Sequence, residues 1–353
     1  MEAAGQRGGY PLRELAVKNA IRVEEDAMKA IVYTHYGPPD VLEFKDVAKP
    51  VPADNEVLIK LCAASVNPFD WHVMRGKPLF VRLFIGGLFA PKHTILGCDI
   101  AGRVEAVGKK VKQFLPGDAV FGATFTGGFA EYVGTVEARL APKPANMSYE
   151  QAAAVPIAAI TALQGLRDKG QIRAGQKVLI EGASGGVGTF AVQIAKSFGA
   201  EVTAVCSTRN MDTARSLGAD HVIDYTQEDF TRNGQRYDLI LTANANHSVF
   251  DYLRALRRGG NFVMAGGGVV QFLQVVILGP LLSLLARKRV YSYIAKIDRK
   301  DMDFLGDLLE AGKVVPVIDR RYPLSDAVGA IRYLEEGHAQ GKVVLTVEHG
   351  NGI

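Results

Sequence analysis

From Met28 onward, short apolar runs alternate with turn residues. "KAIVYT" predicts a strand and "HYGPPD" the turn after it. In "EVLIKLCAASV" (Glu56–Val66) apolar positions recur with a period near two, which predicts a long strand. "GCDIAGRVEAVG" (Gly97–Gly108), "PGDAVFG" (Pro116–Gly122) and "GGFAEYVGT" (Gly127–Thr135) follow, each bounded by turn signals. Several short strands at this spacing predict a small β-barrel or sandwich. Near Ser148 the period lengthens, and "SYEQAAAVPIAAITALQGLRDKG" reads as a helical connector. Strands "KVLIEG", "EVTAVCS", "HVIDY", "YDLILTA" and "NFVMAG" then alternate with helices such as "TFAVQIAKSFG", "MDTARSLG" and "SVFDYLRALRRG". That alternation predicts an α/β fold with a doubly wound parallel sheet. Past Val290 a helix, "DMDFLGDLLEAG", precedes strands "VIDRRYPL" and "KVVLTVE". The expected plan is an extension at 1–27, a catalytic domain at 28–148, a nucleotide-binding domain inserted at 149–292, and a return segment at 293–353 that completes the catalytic domain.

A length of 353 residues agrees with about two domains. A net charge of +4 is too small and scattered to argue for nucleic acid, so runs such as "LRALRRG" and "ARKRV" read as solvated helix ends. Cys62, Cys98 and Cys206 lie far apart and offer neither a disulfide framework nor metal-ligand spacing. With no secretory leader pattern in residues 1–27, a reducing, cytoplasmic setting is expected.

The informative motif is Gly182-Ala-Ser-Gly-Gly-Val-Gly188, placed after an apolar strand and before a helix. Gly182 suits a tight turn, Gly185 and Gly186 let backbone approach a diphosphate, and Gly188 lets the helix pack on the sheet. Ser184 and Val187 complete the loop, whose free N–H groups would face the anion. A dinucleotide site usually carries an acid at the end of the next strand, to hold the adenosine ribose. Here that place reads Cys206-Ser207-Thr208-Arg209-Asn210. Two hydroxyls and a guanidinium suit a 2′-phosphate dianion, so Ser207, Thr208 and Arg209 predict NADPH over NADH. Asn244 and Gly266 follow the fourth and fifth strands, and so are expected at the same ligand-binding edge.

"SVNPFDWHVMRG" (Ser65–Gly76), "GCDIAGRVEAVG", "PGDAVFG", "GGFAEYV", "AAAVPIAAITALQGL", "GASGGVG" and "SLGADHVIDY" (Ser216–Tyr225) occur in this order. Together they resemble the medium-chain dehydrogenase/reductase superfamily, in the zinc-free quinone oxidoreductase branch that includes chloroplast-envelope homologues. The resemblance implies a GroES-like β-barrel catalytic domain with an inserted Rossmann domain, and a homo-oligomer, expected as a homodimer. It implies no metal: Asn67, Gly97-Cys98-Asp99 and Pro156 or Ile157 stand where the zinc members carry their ligands. It places Asn67 near the nicotinamide or substrate as a hydrogen-bond donor, or alternatively as a turn cap before Pro68. It places His72 at a proton-relay position, where a histidine more often only bonds the cofactor ribose or packs, and Thr161 beside the nicotinamide. Tyr225 and Lys342 match positions near the cofactor phosphates, though Lys342 equally reads as a surface strand residue. Thr242 departs from the family's Asp.

Hydride delivery to an electron-poor quinone or to the β-carbon of an enone needs no Lewis acid, only positioning and stabilisation of charge on oxygen. The expected activity is therefore zinc-independent, NADPH-dependent reduction of quinones or α,β-unsaturated carbonyls. The alternatives are an alcohol or aldehyde oxidoreductase and a non-catalytic NADPH-binding protein. One stretch stays open. "GVVQFLQVVILGPLLSLLA" (Gly268–Ala286) has no charge, and Gly279-Pro280 with two Gln are expected to break any helix there. Its beginning is assigned to the fifth strand. A dimer interface, a lid over a lipophilic substrate, or peripheral contact with a bilayer would each account for it, together with "PLFVRLFIGGLFAPK" (Pro78–Lys92).

Overall fold

The structure, a computed structural model, describes residues 27–349, the side chains of 284–286 excepted. All but the last residue of the expected extension at 1–27 thus lies outside the described residues. Two large sheets carry the molecule. The first has six parallel strands: Lys177–Glu181, Glu201–Cys206, His221–Asp224, Tyr237–Thr242, Leu256–Met264 and Arg289–Ser292. Counted along the chain, their spatial order is third, second, first, fourth, fifth, sixth. Helices cover both faces, which is why the strands are continuous apolar runs; Val178, Leu179 and Ile180 are all fully buried. The order reverses between the first and fourth strands, where Thr242 pairs with Glu181. A crevice at the carboxyl ends of the strands opens at such a reversal.

The second sheet runs Ile318–Pro323, Lys342–Thr346, Glu56–Val66, Asp99–Val107, Ala119–Ala123 and Leu140–Pro142, with Tyr132–Val136 also paired to Glu56–Val66. Its apolar side packs Ile59, Leu61, Ile100, Phe129, Val343 and Leu345 into one core. The strand Lys342–Thr346 pairs antiparallel with Glu56–Val66, Val343 standing opposite Val66. The chain's return thus brings Lys342 beside the residues that follow Val66. A separate hairpin, Ala27–Val32 with Glu43–Ala48, lies at the edge.

Two elements depart from the sequence pattern. The helix expected over "SVFDYLRALRRG" ends at Ala255, and Leu256–Met264 is a strand. Arg257 therefore does not end a helix; it forms an ion pair with Asp238 on the neighbouring strand, and Gly259 takes the positive φ of 82° that the bend requires. The apolar stretch is a single helix, Val269–Ala286, with Pro280 inside it; strand five has already ended at Met264. Proline removes one helical hydrogen bond, and packing offsets that loss: Val275 is buried, Leu278 and Leu282 pack on the same core, and Gly279 lies against Val290.

Candidate active site

The glycine loop occupies the crevice edge. Gly182 has φ +74°, a conformation that side chains disfavour, and so turns the chain out of the first strand. A Cβ on Gly188 would stand 2.0 Å from the Gly182 carbonyl oxygen, so only glycine lets the helix Gly186–Ser197 start this close to the turn. A Cβ on Gly185 would meet no non-neighbouring protein atom nearer than 3.6 Å, which leaves that side open for a ligand. No side chain caps this helix, so its first N–H groups and its dipole are available to an anion. Asn244 N lies 3.3 Å from where a Gly182 Cβ would be, and Ala243 O fits against Gly266 at 2.3 Å by the same measure. The turn, Asn244 and Gly266 thus share one edge.

At the end of the second strand the predicted trio is only partly free. Thr208 Oγ1 donates to Asp224, at the end of the third strand. That hydrogen bond, with two from Thr226, holds the Asp224 carboxyl below its ordinary range. Thr208 therefore does not present its hydroxyl outward as expected, and an ionised carboxylate stands behind it. Arg209 reaches the His338 carbonyl at 3.1 Å, joining this corner to the return segment. Asn210, not singled out from the sequence, is buried and donates to both Ser184 Oγ (3.0 Å) and Ser207 Oγ (3.1 Å). Its own Oδ1 is buried without a partner. Tyr225 is exposed, its N–H bonded to the Cys206 carbonyl.

Across the crevice lies a buried polar network. Lys342 Nζ donates to Asn67 Oδ1 at 2.6 Å and to Asp99 Oδ2 at 3.1 Å. Asn67 Nδ2 donates to Asp99 Oδ2 at 2.9 Å, and Ser65 Oγ to the same oxygen at 2.8 Å. Asp99 Oδ1 accepts from the Ile157 N–H at 2.8 Å. The stem of Lys342 passes over the glycine loop, its Cδ 3.0 Å from where a Gly186 Cβ would sit. Lys342 is thus brought to the loop, but its charge points at Asn67; it is not a surface residue. Asn67 also caps the helix Pro68–Arg75, its N–H donating to Asp70 Oδ2 at 2.8 Å. Its carboxamide Oδ1 accepts from Lys342 and its Nδ2 donates to Asp99 and, at 3.4 Å, to the Ser65 carbonyl, which leaves no idle donor for a substrate. Burial pushes the Asp70 carboxyl up to about 7, helped by nearby Asp99 and opposed by N–H bonds from Asn67 and Gly97. Asp99, not singled out from the sequence, is an acid opening the buried run Asp99–Gly102 of its strand, and that is the signal that could have found it.

A second buried acid sits at the crevice. Glu181 precedes Gly182 and accepts from Tyr252 Oη at 2.6 Å, with His247 Nε2 at 3.9 Å. Burial raises its carboxyl to about 7, and the Tyr252 hydrogen bond works against that rise. Beside it Thr242 is fully buried with its hydroxyl unpartnered. The remaining predicted residues stand apart. His72 Nδ1 lies 2.9 Å from the Lys77 carbonyl, its ring stacked on Trp71, and burial lowers its pKa. Thr161 lies on the helix Pro156–Gln164, half-buried, its carbonyl accepting from Tyr293 Oη.

The pattern described as alcohol dehydrogenase GroES-like domain matches residues 53–145, and that described as zinc-binding dehydrogenase matches 217–345. The chloroplast envelope quinone oxidoreductase homolog of Arabidopsis thaliana is 34% identical over 332 residues, 90% of this chain and 98% of that one. The chain belongs to the medium-chain dehydrogenase/reductase superfamily, in its quinone oxidoreductase branch. The chloroplastic NADPH-dependent alkenal/one oxidoreductase of the same plant is 34% identical over 92% of this chain and 82% of its own. Among solved structures, the quinone oxidoreductase of Coxiella burnetii superposes with a TM-score of 0.78 at 30% identity, over 91% of this chain and all of that one. The fold is accordingly GroES-like plus Rossmann, and the cofactor of this family is a nicotinamide dinucleotide.

The zinc in one family description does not suit the residues present. Asn67 is tied to Lys342 and Asp99. The Cys98 thiol is held well above its ordinary pKa by burial and donates to the Phe125 carbonyl. Pro156 and Ile157 offer no side-chain donor. A tetrahedral zinc needs three or four such ligands, and among the described residues no group of three His, Cys, Asp or Glu could hold a metal.

Proposed function

We propose that this protein reduces quinones or α,β-unsaturated carbonyls with hydride from NADPH, without a metal. The observation that carries this reading is the pairing of an open glycine loop at the strand reversal with the metal-incompetent Lys342–Asn67–Asp99 wall facing it. The names of the two plant relatives support the acceptor class, and the alkenal/one relative supports NADPH.

A bound NADPH supplies hydride at its dihydronicotinamide ring. That hydride would suit the β-carbon of an enone or an electron-poor quinone, with the negative charge gathering on the carbonyl oxygen and a proton completing the reduction there. In this reading the helix start at Gly186 and the loop N–H groups of Ser184, Val187 and Gly188 hold the diphosphate. Ser207, Arg209 and Asn210 form the adenosine corner, with Arg209 as the cationic contact to a 2′-phosphate and Tyr225 at its rim. Asn244 and Gly266 floor the crevice. Thr161 would lie alongside the nicotinamide. Lys342 neutralises Asp99 and fixes Asn67. His72 Nδ1 donates to the Lys77 carbonyl, leaving Nε2 as the atom for proton relay. The domain division at 148 and 292, and a homodimer, belong to the same reading. So does a reducing, cytoplasmic location, supported by three unpaired thiols.

The test is NADPH and NADH oxidation with phenanthrenequinone, benzoquinone and 2-alkenals, with and without a chelator. Turnover that prefers NADPH and resists chelation is expected. Loss of turnover in chelator, or tight NADPH binding with no acceptor reduced, overturns the reading. Arg209→Ala should raise the NADPH KM about 10- to 100-fold, the worth of one charged hydrogen bond. The NADH KM should stay within about threefold. Equal effects would remove the phosphate contact and leave Asp224 as the acid of an NADH site.

A further inference from the structure

Two apolar segments that leave the site meet on the outside of the molecule. One follows the helix that starts at Asn67 and exposes Leu79, Phe80, Leu83, Phe84, Leu88 and Phe89; Phe84 and Phe89 are 83% and 90% exposed. The other is the helix Val269–Ala286, which begins beyond Gly266 and exposes Val270, Leu273, Val276, Ile277 and Leu281. Phe80 stacks on Phe272, ring centroids 6.5 Å apart, so the two form one face. A helix that is apolar all round and covered on one side only leaves its other side unpartnered. Among the described residues no helix is long and apolar enough to cross a membrane, and this one is held to the sheet through Val275 and Leu278.

Charge decides what covers this face. No acid occurs in the 28 residues from Trp71 to Cys98, nor in the 46 from Tyr252 to Ile297. Those stretches hold eleven of the 41 Lys and Arg; Arg75, Arg254 and Arg257 are paired with Glu335, Asp251 and Asp238, and the other eight form no ion pair among the described residues. Exposed Lys77 and Lys92 bracket the first apolar segment, and exposed Arg287 and Arg289 follow the second. A second copy pressed against this face would oppose cation to cation. An anionic lipid surface offers apolar depth for the phenylalanines and opposite charge for the bases around them. We propose that this face docks the protein on an anionic bilayer. The inference does not rest on the reductase reading, since docking is read with no cofactor or acceptor present.

The experiment is co-sedimentation of the full chain with vesicles of phosphatidylcholine alone and of phosphatidylcholine with phosphatidylglycerol. Binding about tenfold stronger to the anionic vesicles is expected, falling sharply in about 0.5 M salt. The double substitution Phe84→Ser, Phe89→Ser, at side chains that are 83% and 90% exposed, should abolish it while Tm is kept. No binding to anionic vesicles, binding that the double substitution leaves intact, or equal binding to both vesicle types overturns the proposal. So does a dimer in analytical ultracentrifugation that the double substitution converts to monomer, which would give the face to a second copy.

Discussion

Lys342 shows how much a single residue can depend on the fold around it. It is buried on a strand, and its ammonium meets Asn67 and Asp99. Removing one partner of a buried pair leaves the other uncompensated, at a cost of about 3–5 kcal/mol. Lys342→Met should therefore lower stability by that order in denaturant unfolding, and adding Asp99→Asn should recover part of it. Additive losses would show that the two side chains do not interact. The sequence offered Lys342 with two readings and could not choose, because its partners lie 275 and 243 residues away. Glu181 makes a different residue-scale prediction. Its folded pKa is raised to about 7 from 4.5, so the folded state holds this proton more tightly than the unfolded chain. Its contribution is present below about pH 4.5 and lost as pH rises through 7. Asp70 acts in the same sense. Glu181→Gln should flatten the fall of Tm between pH 5 and pH 8, by at most about 3 kcal/mol in stability terms. An unchanged Tm profile would mean that Glu181 is ionised throughout.

At the scale of elements, the parallel sheet was legible because five apolar runs alternate with helical ones, and the glycine loop because its spacing is tied to a strand and a helix. Two elements were misread for one reason: local rules yielded to packing. Gly-Pro broke no helix, since Val290 and the core hold residues 269–286 in place, and Arg257 joined a strand because Asp238 waits beside it. At the adenosine corner, the residue types were visible but not that Asp224 claims Thr208. The loop itself gives a paired test. Gly188→Ala forces a Cβ against the Gly182 carbonyl and should depress both cofactor-free Tm and cofactor binding. Gly185→Ala meets no crowded protein atom and should weaken NADPH binding about tenfold or more, with Tm nearly unchanged by comparison. Matching effects in the two variants would deny Gly185 a place under the ligand.

Across the whole molecule, the face built from residues 79–89 and 269–286 lies next to the ends of the elements that form the crevice. Acceptors with long alkyl tails gain apolar contact at about 0.8 kcal/mol per buried CH₂, so kcat/KM should climb along a series from short to long-tailed quinones. A flat series would separate that face from substrate entry. The charge partition behind it was present in the sequence but scattered; only the fold gathers it.

The pairing of Lys342–Thr346 with Glu56–Val66 has a consequence for biogenesis. A ribosome finishes every strand of the parallel sheet before it releases the residues that close the other one. The nascent chain thus completes the parallel sheet while strand Glu56–Val66 waits with an open edge, and the Lys342–Asn67–Asp99 wall assembles last.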